Sequence, residues 1–211
     1  MTGAAYVWFV AAAVAAVANW IAVERGDKAV EYVAKPATSL LLLVATAALV
    51  PAHSSERSWF LAALALCLAG DVFLMLLRDL FVPGLASFLV GHILFVVGLV
   101  TTRFDVGAAF ITMFVVMAVV MPMLTRPVLR GARGQDDALT VPVLAYIGVL
   151  NVLLLASAAN GRPLAIAGAV VFVTSDYVLA RNRFVAPLPH GHLATMVTYH
   201  AALALLVLSL I

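Results

Sequence analysis

Asp71 and Asp176 are the only acidic residues set inside long apolar stretches of this chain, in Leu68-Ala69-Gly70-Asp71 and Val173-Thr174-Ser175-Asp176. A carboxylate at the centre of a membrane helix costs about 2.5–3.5 kcal/mol even on lenient insertion scales, so it is retained where it faces protein or water. Three chemistries can use such a pair. Two carboxylates in opposed protonation states can act as acid and as base or cation stabiliser. With His92 and His200 they could relay protons across a membrane. Two Asp and two His could also bind zinc, although no His-x-x-x-His spacing occurs in the sequence.

These residues need elements to carry them, and the composition names the kind. Of the 211 residues 65% are hydrophobic and 10% charged, with mean hydropathy +1.15, which describes a polytopic, all-α membrane protein. Eight apolar segments of near-spanning length fall at 4–23, 36–52, 59–77, 85–102, 105–124, 139–158, 163–180 and 193–211. The reading is one integral membrane domain, 1–211, built as an eight-transmembrane-helix bundle. Pro36 and Pro163 suit first helical turns. Pro51 and Pro83 suit helix exits or loops, and Pro122 and Pro142 fall inside spans. The first segment lacks a basic n-region and is too long for a signal-peptide core. A net charge of +2 without a basic cluster argues against nucleic acid. The single cysteine, Cys67, excludes an internal disulfide and reads as a packed apolar residue.

The basic residues orient the bundle. Nine of the twelve (Arg25, Lys28, Lys35, Arg78, Arg126, Arg130, Arg133, Arg181, Arg183) fall on one side, and Arg57, Arg103 and Arg162 on the other. The first side is therefore cytoplasmic and both termini face outward. Counted at 1.5 Å per residue, Asp71 lies about 9 Å, Asp176 about 6 Å, and His92 and His200 about 10 Å from the cytoplasmic ends of their segments. Lys35 opens segment two on that side. The outer half of the spans holds no ionisable residue. Asn19 and Asn151 read as interhelical glue, and His53, His190 and His192 as solvated loop residues. Tyr6, Trp8, Trp20, Tyr32 and Trp59 suit an interfacial belt.

A weak internal echo joins the two aspartates. Gly70-Asp71-Val72-Phe73-Leu74 is followed by Phe81, Pro83, Gly84 and His92; Ser175-Asp176-Tyr177-Val178-Leu179 is followed by Phe184, Pro187, Gly191 and His200. Two four-helix halves related by an axis along the membrane normal would bring Asp71 and Asp176 face to face.

The chain resembles the YhhN-type lysoplasmalogenases, small membrane proteins of eight spans. Lys35-Pro36, Gly70-Asp71-x-x-Leu74 and Phe81-x-x-Gly84-x-x-x-Phe88-x-x-x-His92 carry the resemblance, with Gly168-Ala169-x-x-Phe172-x-x-Ser175-Asp176 and Thr198-Tyr199. One departure stands in the last helix, where His200 and Ala201 follow Tyr199. The resemblance implies hydrolysis of the vinyl ether bond of a lysoplasmalogen to a fatty aldehyde and a glycerophospho-alcohol, without a cofactor or metal. Its partners are then the lysophospholipid substrate and membrane lipids, in a bacterial-type inner membrane. On that reading Asp71 and Asp176 are the catalytic acid and base-stabiliser in unassigned order, and His92 orients a carboxylate or relays a proton. Tyr199 and His200 line the water or substrate side, and Lys35 holds the head-group phosphate. A proton-coupled transporter with an Asp/His relay, a metal-dependent lipid hydrolase and a non-catalytic scaffold are the other readings the residues permit. The sequence is silent on oligomeric state.

Overall fold

In a bilayer each backbone N–H and C=O must be paired within its own segment, which favours long uninterrupted helices. The computed structural model describes residues 2–76 and 80–211, and these form α1 (Gly3–Arg25), α2 (Lys28–Ala48), α3 (Ser54–Met75), α4 (Phe81–Thr102), α5 (Ala108–Gln135), α6 (Thr140–Asn160), α7 (Pro163–Phe184) and α8 (Gly191–Leu208). All eight are long and apolar enough to cross a membrane, and the chain is an integral membrane protein. Arg78, counted above among the cytoplasmic basic residues, and Leu77, the expected end of segment three, lie outside the described residues.

Helix ends differ from the apolar segments where polar residues cap them. Asp27 accepts the Val30 N–H and starts α2 at Lys28, so Pro36 lies inside the helix instead of in its first turn. Proline at 36 removes the hydrogen bond to the Tyr32 carbonyl and exposes that group to other partners. Pro83 is not in a loop: α4 begins at Phe81, and a proline is tolerated there because first-turn N–H groups have no intrahelical acceptor. α5 runs through Pro122 and Pro127 to Gln135, eleven residues beyond the expected segment. These longer helices bury the polar residues more deeply. His92 lies about 16 Å and Asp176 about 12 Å along their helices from the ends that carry Phe81 and Phe184, by the same rise per residue.

Three antiparallel hairpins, α1–α2, α3–α4 and α7–α8, make the closest pairings. The halves meet where α4 packs on α6 and α2 on α8, a relation that a four-plus-four echo requires. The echo fails at the outer helices: α1 leans on α8, whereas α5 leans on α7. α5 turns most of its surface outward, with Ile111, Phe114, Val115, Val119 and Met123 exposed as a lipid-facing helix demands. It is pinned at one end, where Gly131 crosses α7 so closely that a Cβ would overlap the Phe184 carbonyl. Gln135 Nε2 also donates to the Arg183 carbonyl at 2.8 Å.

At the opposite end a second polar cluster ties the ends of five helices, α3, α4, α6, α7 and α8. Arg162 pairs with fully buried Glu56, donates Nε–H to Asn160 Oδ1 at 2.6 Å, and donates from Nη1 to the Ser209 carbonyl at 2.7 Å. Asn160 Nδ2 in turn donates to the Leu99 carbonyl at 2.9 Å. The expected absence of ionisable residues from the outer half is corrected here. Glu56 falls inside α3 because that helix starts at Ser54, five residues before the apolar run.

Candidate active site

The two aspartates line one cavity of about 450 Å³ together with Lys35, Phe81, Phe88, Tyr146 and Tyr199. Six helices, α2, α3, α4, α6, α7 and α8, supply these side chains, and small residues let them close in. Gly70 precedes Asp71 and leaves the room that the Phe88 ring occupies.

Asp71 is 1% exposed and surrounded by donors. Its Oδ2 accepts from Ser39 Oγ at 2.6 Å and from Tyr199 OH at 2.8 Å, while Lys35 Nζ stands 3.3 Å from Oδ1. Oδ1 is buried, and the Lys35 ammonium is the group that faces it. Three donors converging on one carboxyl group are the surroundings of an anion.

Asp176 has a different setting. Its Oδ2 accepts from Tyr146 OH at 2.8 Å, and His92 Nε2 lies 3.9 Å away. His92 Nδ1 is 2.6 Å from the Phe88 carbonyl, which can only accept, so Nδ1 carries the proton. Nε2 of the neutral ring is then a lone pair aimed at a carboxyl oxygen. At 3.9 Å the two are farther apart than a hydrogen bond, and Nε2 has no hydrogen-bond partner among the described residues. Phe172 makes edge contacts with His92 at 4.4 Å and with Tyr199 at 5.7 Å between centroids, fixing both rings.

The partners cross between halves. His92 of the first half addresses Asp176 of the second, and Tyr199 of the second addresses Asp71 of the first. Ser39 and Tyr146 are echo-related donors, each one helix before its aspartate. Sequence reasoning missed both, because a serine and a tyrosine in apolar helices carry no local mark of function. Phe81 and Phe184, also echo-related, touch edge to face at 5.6 Å.

Other expected positions differ. Lys35 is 5% exposed and engaged with Asp71, not an interfacial cation, because α2 extends seven residues before it. His200 sits next to Tyr199 on α8 but turns to the α1 side, where its Nδ1 accepts from Trp20 Nε1 at 3.1 Å. Trp20, expected in an interfacial belt, is thus a hydrogen-bonding partner of His200. Asn151 bonds the Ile147 carbonyl of its own helix and Asn19 is fully buried, with neither acting as the expected interhelical bond. His192 is not simply solvated: its Nε2 is 2.7 Å from Glu31 Oε1. Among the described residues no three His, Cys, Asp or Glu side chains converge as a metal cluster.

The cavity opens in two directions. Past Phe81, Leu85, Tyr146, Asp176 and Leu179 it joins a groove of about 640 Å³ between α5, α6 and α7, lined otherwise by Met121, Leu124, Val128, Val143, Leu150 and similar apolar side chains. Past Leu74, Phe81, Leu179 and Thr195 it joins a polar opening lined by Asn182, Arg183 and His192.

Relatives place this geometry in a family. Over 129 residues (61% of this chain and 53% of the relative) the sequence is 34% identical to human lysoplasmalogenase TMEM86B. Over 170 residues, 81% of this chain and 70% of the relative, it is 32% identical to mouse lysoplasmalogenase TMEM86B. It is 28% identical over 151 residues to the lysoplasmalogenase of Mycobacterium tuberculosis (strain CDC 1551 / Oshkosh), covering 70% of this chain and 58% of that one. The chain thus spans about half of the human relative's length. No solved structure matches it. The YhhN family model matches residues 30–210, from the first turns of α2 to the end of α8, and the chain belongs to the YhhN family.

Proposed function

We propose that this protein hydrolyses the vinyl ether bond of a lysoplasmalogen-type lipid, releasing a fatty aldehyde and a glycerophospho-alcohol. One observation supports the reading: two carboxyl groups in unlike surroundings line a single cavity that continues into an apolar groove. The names of the relatives support the same bond.

The unlike surroundings support a division of roles. Asp176, opposite the His92 lone pair and at the head of the groove, is the acid. It delivers its proton to the alkenyl β-carbon, the C=C π pair forms the new C–H bond, and the ether oxygen shares its lone pair with the α-carbon as an oxocarbenium ion. Asp71 faces that cation as a carboxylate. Water attacks the α-carbon and gives its proton to Asp71 Oδ1, leaving a hemiacetal. The hemiacetal hydroxyl then loses its proton, the C–O bond to the glycerol breaks, and the departing oxygen takes a proton. Aldehyde and alcohol result. Passage of the proton from Asp71 to Asp176 restores the starting state.

Lys35, Ser39 and Tyr199 hold Asp71 in its anionic form, and Tyr146 and His92 aim Asp176. His200 contributes through Tyr199, its chain neighbour. We place the site near the cytoplasmic leaflet of a bacterial-type inner membrane with both termini outside, from the basic residues that flank α1, α2, α5 and α7.

Purified protein in detergent should release aldehyde from a lysoplasmalogen and leave a diacyl phospholipid, which lacks the enol ether, intact. Release of fatty acid from the diacyl lipid, or no aldehyde from the enol ether, would overturn the reading.

A further inference from the structure

α5 buries only Met117, Val128 and Ala132 among its 28 residues, and its outward side carries a second groove. This outer groove, of about 960 Å³, runs between α5 and α6 and is lined by Phe114, Met117, Met121 and Pro122 on one helix and Ile147 and Leu155 on the other. Met121, Thr125 and Ile147 border it and also border the inner groove that leads to Asp176. A seam of three side chains is therefore common to the lipid-facing surface and the substrate groove.

One cation stands in the outer groove. Arg126 lines it, is exposed, and makes no hydrogen bond or ion pair with any described residue. Arg133, two turns on, is by contrast held by Asp137 at 3.1 Å. Lys35 is no alternative for a lipid phosphate, because it lies 3.3 Å from Asp71 and is 5% exposed. An unpaired guanidinium beside hydrocarbon is costly, and a long arginine side chain reaches along the surface to find acceptors. In a bilayer those are lipid phosphates, which the planar guanidinium binds through two N–H groups at once. The level along the helix also suits a substrate. α5 and α7 run in the same direction and cross at Gly131 and Phe184. From that crossing Arg126 lies about 8 Å back along α5 and Asp176 about 12 Å back along α7. Arg126 is thus about 4 Å nearer the Phe184 end than the acid. A lysolipid with its ether at the acid and its chain toward the midplane carries its phosphate on that side.

We infer that the α5–α6 groove is the site where the lysophospholipid substrate enters from the bilayer, with Arg126 taking its phosphate and the apolar lining taking its chain. The chain then passes between α5 and α6, over Met121, Thr125 and Ile147, into the inner groove. Thr125 Oγ donates to the Met121 carbonyl of its own helix at 2.8 Å, so the seam offers the chain a surface whose hydroxyl is already bonded. α5 is built to yield there. Pro122 and Pro127 withhold two N–H groups from its hydrogen-bond ladder, and its close crossing with α7 comes only at Gly131, past Arg126. The inference rests on the proposed function.

The test compares a lysoplasmalogen with the alkenylglycerol of the same chain length, which lacks the phosphate, in the wild type, Arg126→Gln and Arg126→Lys. The readout is the ratio of the two kcat/KM values. Loss of a charge-assisted contact is expected to lower the ratio about ten-fold in Arg126→Gln. The change should come through KM of the phosphate-bearing substrate with kcat held, as a contact made on entry requires, and Arg126→Lys should recover part of it. Arg126 is exposed and bonded to no described residue, so its variants keep the fold. If the wild type cleaves both substrates and the ratio is the same in every variant, a bilayer phospholipid is left as the groove's occupant. The entry site is then wrong and the proposed function stands. A fall in kcat with KM unchanged also overturns the entry site. If the wild type releases aldehyde from neither substrate, both readings fall.

Discussion

Two like groups, the carboxyls of Asp71 and Asp176, sit in unlike surroundings. Asp71 collects Lys35, Ser39 and Tyr199; Asp176 collects Tyr146 and the lone pair of His92. Tyr146→Phe keeps the ring and its edge contact with His92 while deleting its hydrogen bond to Asp176, so aldehyde release should fall about ten-fold or more with little change in Tm. Asp71→Asn removes the anion and should lower kcat by about 10²–10⁴. It also leaves Lys35 buried against a neutral amide, so folding must be verified by size exclusion beside the assay. The aspartates, His92 and Tyr199 were legible because polar groups stand out in apolar runs. Ser39 and Tyr146 were not, since hydroxyls and aromatic rings are common in membrane helices that merely pack. The crossed pairing of His92 with Asp176 was also hidden: sequence spacing relates a residue to its own helix and says nothing of which distant helix lies opposite.

Helices decide where the substrate goes. α5 crosses α7 closely at Gly131 and Phe184, and the apolar groove is lined by both helices together with α6. Val143 and Leu150 of α6 form its floor and are buried. Val143→Phe should therefore shift the preference from long to short alkenyl chains without loss of activity on the short ones, as measured by competition between chain lengths in one reaction. An unchanged chain-length profile would remove the groove from the account. Gly131→Ala should lower stability by about 1–3 kcal/mol through overlap with the Phe184 carbonyl, read as a lower melting point in detergent. The eight helices were readable from hydropathy, because an apolar run of spanning length is a strong local signal. Their ends were less so. α2 and α3 begin in polar stretches, at Lys28 and Ser54, and α5 runs on through two prolines and a basic segment, where hydropathy alone stops.

Over the whole molecule, chemistry and stability occupy opposite ends. The carboxylates, Lys35 and the Arg183–His192 opening lie where α1, α3 and α7 finish and α2, α4 and α8 begin; Glu56, Arg162, Asn160 and Ser209 lock the other end. Arg162→Ala leaves Glu56 buried without its cation and should cost about 3–5 kcal/mol. Its melting point in detergent should drop while kcat/KM per folded molecule holds, because the pair lies at the far end from the site. The echo between the halves is visible in the sequence as two Asp-containing stretches, yet the departure of α5 from α1 is a matter of packing that no local pattern records. The measurement that bears most directly on the central claim is hydrolysis in D2O with the aldehyde reduced as it forms and examined by mass spectrometry. Proton delivery from Asp176 to the β-carbon predicts one deuterium on the carbon next to the carbonyl, with the rate collapsing in Asp176→Asn. Aldehyde free of deuterium, or full activity in that variant, would contradict it.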